Sequence, residues 1–92
     1  MLEKQDHTID ISHEVLLDAL SDNREIEFQL DNHNYLAAPH TDPPLPQRYG
    51  ILDAAKRKWI FEGTIDELLT FRFPRGYTLN DDLERFTILF IL

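Results

Sequence analysis

Cysteine is absent from this 92-residue chain, which excludes a disulfide framework, thiolate catalysis and any Cys-based zinc site, and fits a reducing compartment. Glycine is nearly as scarce, at three residues. Backbone able to cradle a phosphate is therefore in short supply, and neither a Walker loop, a G-x-G-x-x-G turn nor a G-x-S-x-G elbow occurs. No apolar run approaches the roughly 20 residues of a membrane span, and residues 1–6 lack the basic and apolar segments of a secretory leader. The expectation is a soluble, cytoplasmic protein that makes no membrane contact.

Positive charge is also lacking. Nine Lys and Arg stand against 17 Asp and Glu, a formal net charge of −8. The imbalance is local, because residues 1–31 hold nine carboxylates and two cations whereas residues 32–92 hold eight and seven. Such a surface repels nucleic acid and anionic lipid and attracts basic partners at long range. Solubility alone would account for a charge of this size. Ninety-two residues suffice for one domain that buries roughly 60% of the surface of its unfolded chain without staples, and no internal repeat or second domain is visible.

The most apolar stretch is the last, Arg85-Phe86-Thr87-Ile88-Leu89-Phe90-Ile91-Leu92. It does not alternate, so both faces call for cover and the expected place is a central strand. Left at an edge, the same residues would be a template for a second chain.

Taken in order, residues 1–11 show no period and read as a ragged lead-in. Ser12 is a good N-cap, Glu14 suits a first turn, and Val15, Leu16, Ala19 and Leu20 share one side, which predicts a helix over 13–21. Ser21-Asp22-Asn23 ends it. Ile26, Phe28 and Leu30 then alternate with Glu25, Glu27 and Gln29, the period of a half-buried strand, and a turn over 31–34 returns the chain through 35–38. Four prolines make residues 39–47 a loop, partly polyproline II. Strands at 49–53 and 58–62 form a second hairpin. Thr64 and Glu67 have capping-box spacing, and Phe73 before Pro74 stops that helix by about 72. Asn80-Asp81-Asp82 suit the start of one further helical turn around Leu83. The order predicts an α+β domain: an antiparallel or mixed sheet of about five strands, made of two hairpins and a central C-terminal strand, with two short helices on one face.

Glu3, Asp6, Asp10, Glu14, Asp18 and Asp22 recur every three or four residues. On a continuous helix they would form one ladder with carboxylates about a turn (~5.4 Å) apart, close to the spacing of phosphates along a nucleic-acid strand. Like charges at this spacing destabilise a helix by a few tenths of a kcal/mol per pair, a cost that a basic partner would offset. The blander account is a solvated face. With Glu25 and Glu27 added, the candidate partner-binding set is Asp6, Asp10, Glu14, Asp18, Asp22, Glu25 and Glu27.

Three other patterns are weaker. Pro43-Pro44-Leu45-Pro46-Gln47-Arg48 fits the P-x-x-P-x-R form of a polyproline II ligand but reads more simply as a rigid loop. Lys56-Arg57-Lys58-Trp59 is the only basic cluster, too small a footprint for nucleic acid on so acidic a chain and better read as a hairpin turn whose lysines discourage edge pairing. His7, His13, His33 and His40 show no metal-ligand spacing, so neither a metal nor another cofactor is expected. The sequence therefore points to a non-catalytic module binding a basic protein, in its concrete form an antagonist that occupies a nucleic-acid-binding surface. A homodimer assembled through the terminal strand is the alternative. A small nuclease using His, Glu, Arg and Tyr comes third, because the surface would repel its substrate.

Overall fold

The computed structural model describes residues 12–39 and 48–92. Helix α1 runs His13–Ser21, and the Val15 N–H donates to the Ser12 hydroxyl at its N-terminus. Strands β1 (Ile26–Leu30) and β2 (His33–Pro39) form the first hairpin; β3 (Arg48–Asp53) and β4 (Lys58–Thr64) form the second. Helix α2 (Ile65–Leu69) follows β4 directly, and after 3-10 turns at Pro74–Gly76 and Leu83–Arg85 the chain ends in β5 (Thr87–Ile91). The result is α+β: one five-stranded antiparallel sheet in the order β4-β3-β2-β1-β5, with the helices on one face.

Strand β5 is thus an edge strand bonded to β1, and the central position expected for it is incorrect. The physical reason is a β-bulge. Phe28 pairs with Ile88 and Ile26 with Ile91, so Leu89 is the extra residue and the inward phase slips by one. Phe86, Ile88 and Ile91 all pack on the core, two of them on one parity and the third on the other. A strand that changes phase at its middle needs apolar residues at both parities. The missing alternation records the slip, not burial on both sides, and Phe90 and Leu92 are among the exposed large apolar residues.

The first hairpin is tighter than the sequence suggests. Asp31 and Asn32 have φ of 52° and 65° and form a two-residue turn, so β2 starts at His33. In the core face of the sheet Ile26, Phe28 and Leu30 of β1 lie beside Tyr35 and Ala37 of β2, then Tyr49 and Ile51 of β3. Phe73, extended before Pro74 (φ −79°, ψ 172°), is the hub of an aromatic cluster, with Tyr35, Phe71 and Phe86 within 4.9–5.2 Å ring to ring and Phe28 at 5.7 Å. Arg85, the one charge in the apolar terminal stretch, lies over the Tyr77 ring at 5.1 Å.

Two polar devices hold the helices to this face. The fully buried Tyr49 places its hydroxyl 2.9 Å from both Leu20 O and Arg24 O, donating its one proton to either carbonyl and tying the end of α1 to β3. At α2 the capping box forms: Glu67 N–H donates to Thr64 Oγ1 (3.2 Å), and Thr64 N–H to Glu67 Oε1 (2.9 Å). Gly63 is required beside it, since a Cβ there would meet the Glu67 carboxylate and the Phe61 ring.

Candidate functional site

Three surfaces merit description, beginning with the acidic residues. Asp6 and Asp10 lie outside the described residues. Glu14 and Asp18 are exposed on α1 and Asp22 is exposed at its C-cap, at four-residue spacing and beside exposed Val15 and Leu17, while Leu16, Ala19 and Leu20 face inward. The helix dipole favours Glu14 in the first turn, but Asp18 and Asp22 stand at the C-terminal end, where negative charge is disfavoured and no basic residue compensates. Glu25 and Glu27 fall elsewhere. Glu27 alternates with the buried Ile26 and Phe28, so it points to the sheet face opposite α1. The structure therefore divides the set between two faces of the domain.

The second surface is that opposite face with its β5 border. Phe90, Glu27, Leu36, Leu52 and Trp59 pair in one row across all five strands. Apolar side chains at both ends of this row are partly open to solvent, Phe90 at 43% and Trp59 at 39% exposure. Among the described residues, β5 has a pairing partner only on its β1 side. Lys56 and Arg57 occupy the β3–β4 turn and Lys58 opens β4, all exposed, so the basic cluster guards the other end of the sheet.

The third surface was not legible as a site in the sequence. His33, at the start of β2, and Asp53, at the end of β3, meet with Nε2 2.8 Å from Oδ1. The Lys56 N–H donates to the same oxygen at 3.1 Å. Burial pushes the Asp53 carboxyl up, but these hydrogen bonds and the charges of His33 and Lys56 outweigh it and hold the group below the usual carboxylate range. Asp53 is consequently ionised, and the proton between it and His33 sits on Nε2. Tyr35 pairs with Asp53 across the strands, and its ring packs against the His33 ring at 4.9 Å with the planes tilted by 43°. Burial, then the Asp53 and Asp31 charges, raise its phenol pKa. These side chains line a cavity of about 290 Å³ at the hairpin end of the sheet.

The remaining sequence candidates stay apart. His13 Nε2 donates to Asn80 O at 2.8 Å and is occupied in holding α1 to the loop before β5. His7, His40 and the proline motif up to Gln47 lie outside the described residues, while Arg48 opens β3. Among the described residues no three His, Asp or Glu converge as a metal would require, and no helix is long and apolar enough to cross a membrane. Comparison with known proteins returned no match to any family model, any curated protein or any solved structure.

Proposed function

We propose that the chain is a non-catalytic, cytoplasmic protein-binding module whose outer α1 face engages a basic protein surface, in the concrete case a nucleic-acid-binding groove. One observation carries the reading. Three exposed carboxylates sit four residues apart along α1 and its C-cap, two of them where the dipole disfavours them, beside exposed Val15 and Leu17. A helix carrying charges that reduce its own stability, bordered by apolar side chains, is suited to a partner that is basic and partly apolar. Glu27 lies on the opposite face and Glu25 lies outside α1, so both contribute only to the long-range field.

The test is capture from a lysate of the source organism, comparing wild type with Glu14→Lys/Asp18→Lys, washed at rising salt. A basic nucleic-acid-binding protein that wild type retains at low salt and releases at high salt, and that the folded variant does not retain, is the expected result. Equal retention by the variant removes the reading.

The open β5 edge favours a second reading, a homodimer that continues the sheet across a two-fold axis. Five residues without charge, Gly or Pro border the sheet, with Phe90 among them and Leu92 next to them exposed. A strand of this composition meets its own copy without like-charge repulsion despite the net charge of −8. Light scattering that gives a monomer at all concentrations eliminates this reading; a dimer that Phe90→Lys dissociates supports it.

A further inference from the structure

We propose that the cavity at the hairpin end of the sheet is a binding site for a guanidinium group, as on an arginine side chain. The starting point is two buried polar groups with incomplete partnership. Asp53 is 6% exposed, and both hydrogen bonds it receives, from His33 Nε2 and Lys56 N–H, end on Oδ1. Among the described residues Oδ2 accepts none. Tyr35 is 4% exposed, and its hydroxyl likewise has no hydrogen-bond partner among the described residues. Buried polar atoms are nearly always satisfied by protein, water or ligand, and here both border a cavity of about 290 Å³.

The chemistry on offer is chiefly that of acceptors. Asp53 Oδ2 is half of an ionised carboxylate, and the His33 and Lys56 donors leave it free because both end on Oδ1. Asp31 adds a second carboxylate to the lining. Leu30, Pro74 and the Tyr35 ring supply apolar walls against which a flat group lies. A guanidinium is planar, weakly hydrated and carries five donors, so it matches spread acceptors beside an aromatic ring better than a compact, strongly hydrated ammonium. The protein already shows the attraction at the rim, where the exposed Arg75 guanidinium approaches Asp31 at 3.8 Å. Lys56 adds a cation to the lining, and it opposes the ligand. No lining residue belongs to α1, so this site stands or falls independently of the acidic helix face.

The test is an NMR titration of the full chain with acetyl-arginine-amide, using the neutral isostere acetyl-citrulline-amide and inorganic phosphate as separate probes. Expected are saturable shifts confined to residues 30–35, 53–56 and 74–75, with a Kd on the order of 1 mM for the arginine probe and none for citrulline. Asp53→Asn keeps an acceptor for His33 and Lys56 but replaces the free oxygen by a donor, and should weaken binding about tenfold. Lys56→Gln, at an exposed turn position that leaves the fold intact, should tighten it severalfold. Equal binding of citrulline, phosphate shifting the same residues, or no saturable shift with arginine would each overturn the proposal. A Lys56→Gln variant that binds no better than wild type would do so too.

Discussion

Replacing Tyr49 by Phe removes a single oxygen from the middle of the domain and isolates what the hydroxyl does. The oxygen lies 2.9 Å from Leu20 O and Arg24 O but has one proton, so one hydrogen bond is lost, worth about 1 kcal/mol net. Leu20 O keeps a second donor, Asn23 N–H at 3.0 Å, which holds the cost near that value. The alkaline behaviour is more diagnostic. Burial, with the Asp22 charge adding to it, pushes the Tyr49 phenol from 10.0 up to about 12. A phenol whose pKa is raised by folding keeps its proton in the native state while the unfolded chain loses it, so its stabilisation is fully present below pH 10 and is lost between there and about 12. The loss approaches about 1.4 kcal/mol per pH unit in that window. Wild type should therefore exceed Tyr49→Phe by about 1 kcal/mol at pH 7 and hold no advantage by roughly pH 11. Urea unfolding of both proteins at pH 7, 9, 10 and 11, with equal slopes confirming a common unfolded state, gives the difference directly. Because other groups that titrate in this range are common to both proteins, they cancel. A difference that stays constant from pH 9 to 11 would show that the phenol ionises as freely in the fold as out of it, and would refute the tie between α1 and β3.

Other perturbations test the remaining links. Gly63→Ala forces the Glu67 carboxylate out of the capping box and should cost about 1 kcal/mol, read as a lower urea midpoint with unchanged slope. Asp18→Lys removes a charge from the wrong end of α1 and should stabilise the isolated domain by roughly 0.3–1 kcal/mol at low salt, shrinking at high salt, while weakening capture of a basic partner. Asp53 has a folded pKa below its usual 3.8, so its stabilisation is present above that value and disappears as pH falls through the folded one. Acid unfolding should accordingly be steeper below pH 4 in wild type than in Asp53→Asn.

Much of the fold was written locally. Ser12 and the Thr64–Glu67 pair announce both helix starts, and the alternation of Ile26, Phe28 and Leu30 announces β1 with the correct inward face, because caps and periods depend on neighbours within a few residues. Phe73 left the helical region as its place before Pro74 requires. The boundaries moved where a tertiary contact outweighed the local signal. Asp31 and Asn32 took up positive φ and shortened the first turn, and β4 ran on to Thr64 because Arg48 and Tyr49 supply pairing partners.

The candidate sites divide in the same way. That Glu14, Asp18 and Asp22 share an exposed helix face follows from spacing alone, and the excess of acid in the first third is visible in any count of charges. Whether Glu27 joins them is not, because that depends on which face of the sheet the helix covers. His33, Tyr35 and Asp53 are separated by the connection between β2 and β3, and their meeting depends on a register that no local pattern sets. The edge position of β5 was hidden by the bulge at Leu89, a slip of one residue that puts apolar residues at both parities of a strand with one face open. Local backbone and solvation preferences thus determined which segments became helix and strand and where charge is concentrated. Strand order, register and the phase of β5 arose only from the chain closing on itself, since they belong to contacts between residues that the sequence keeps far apart.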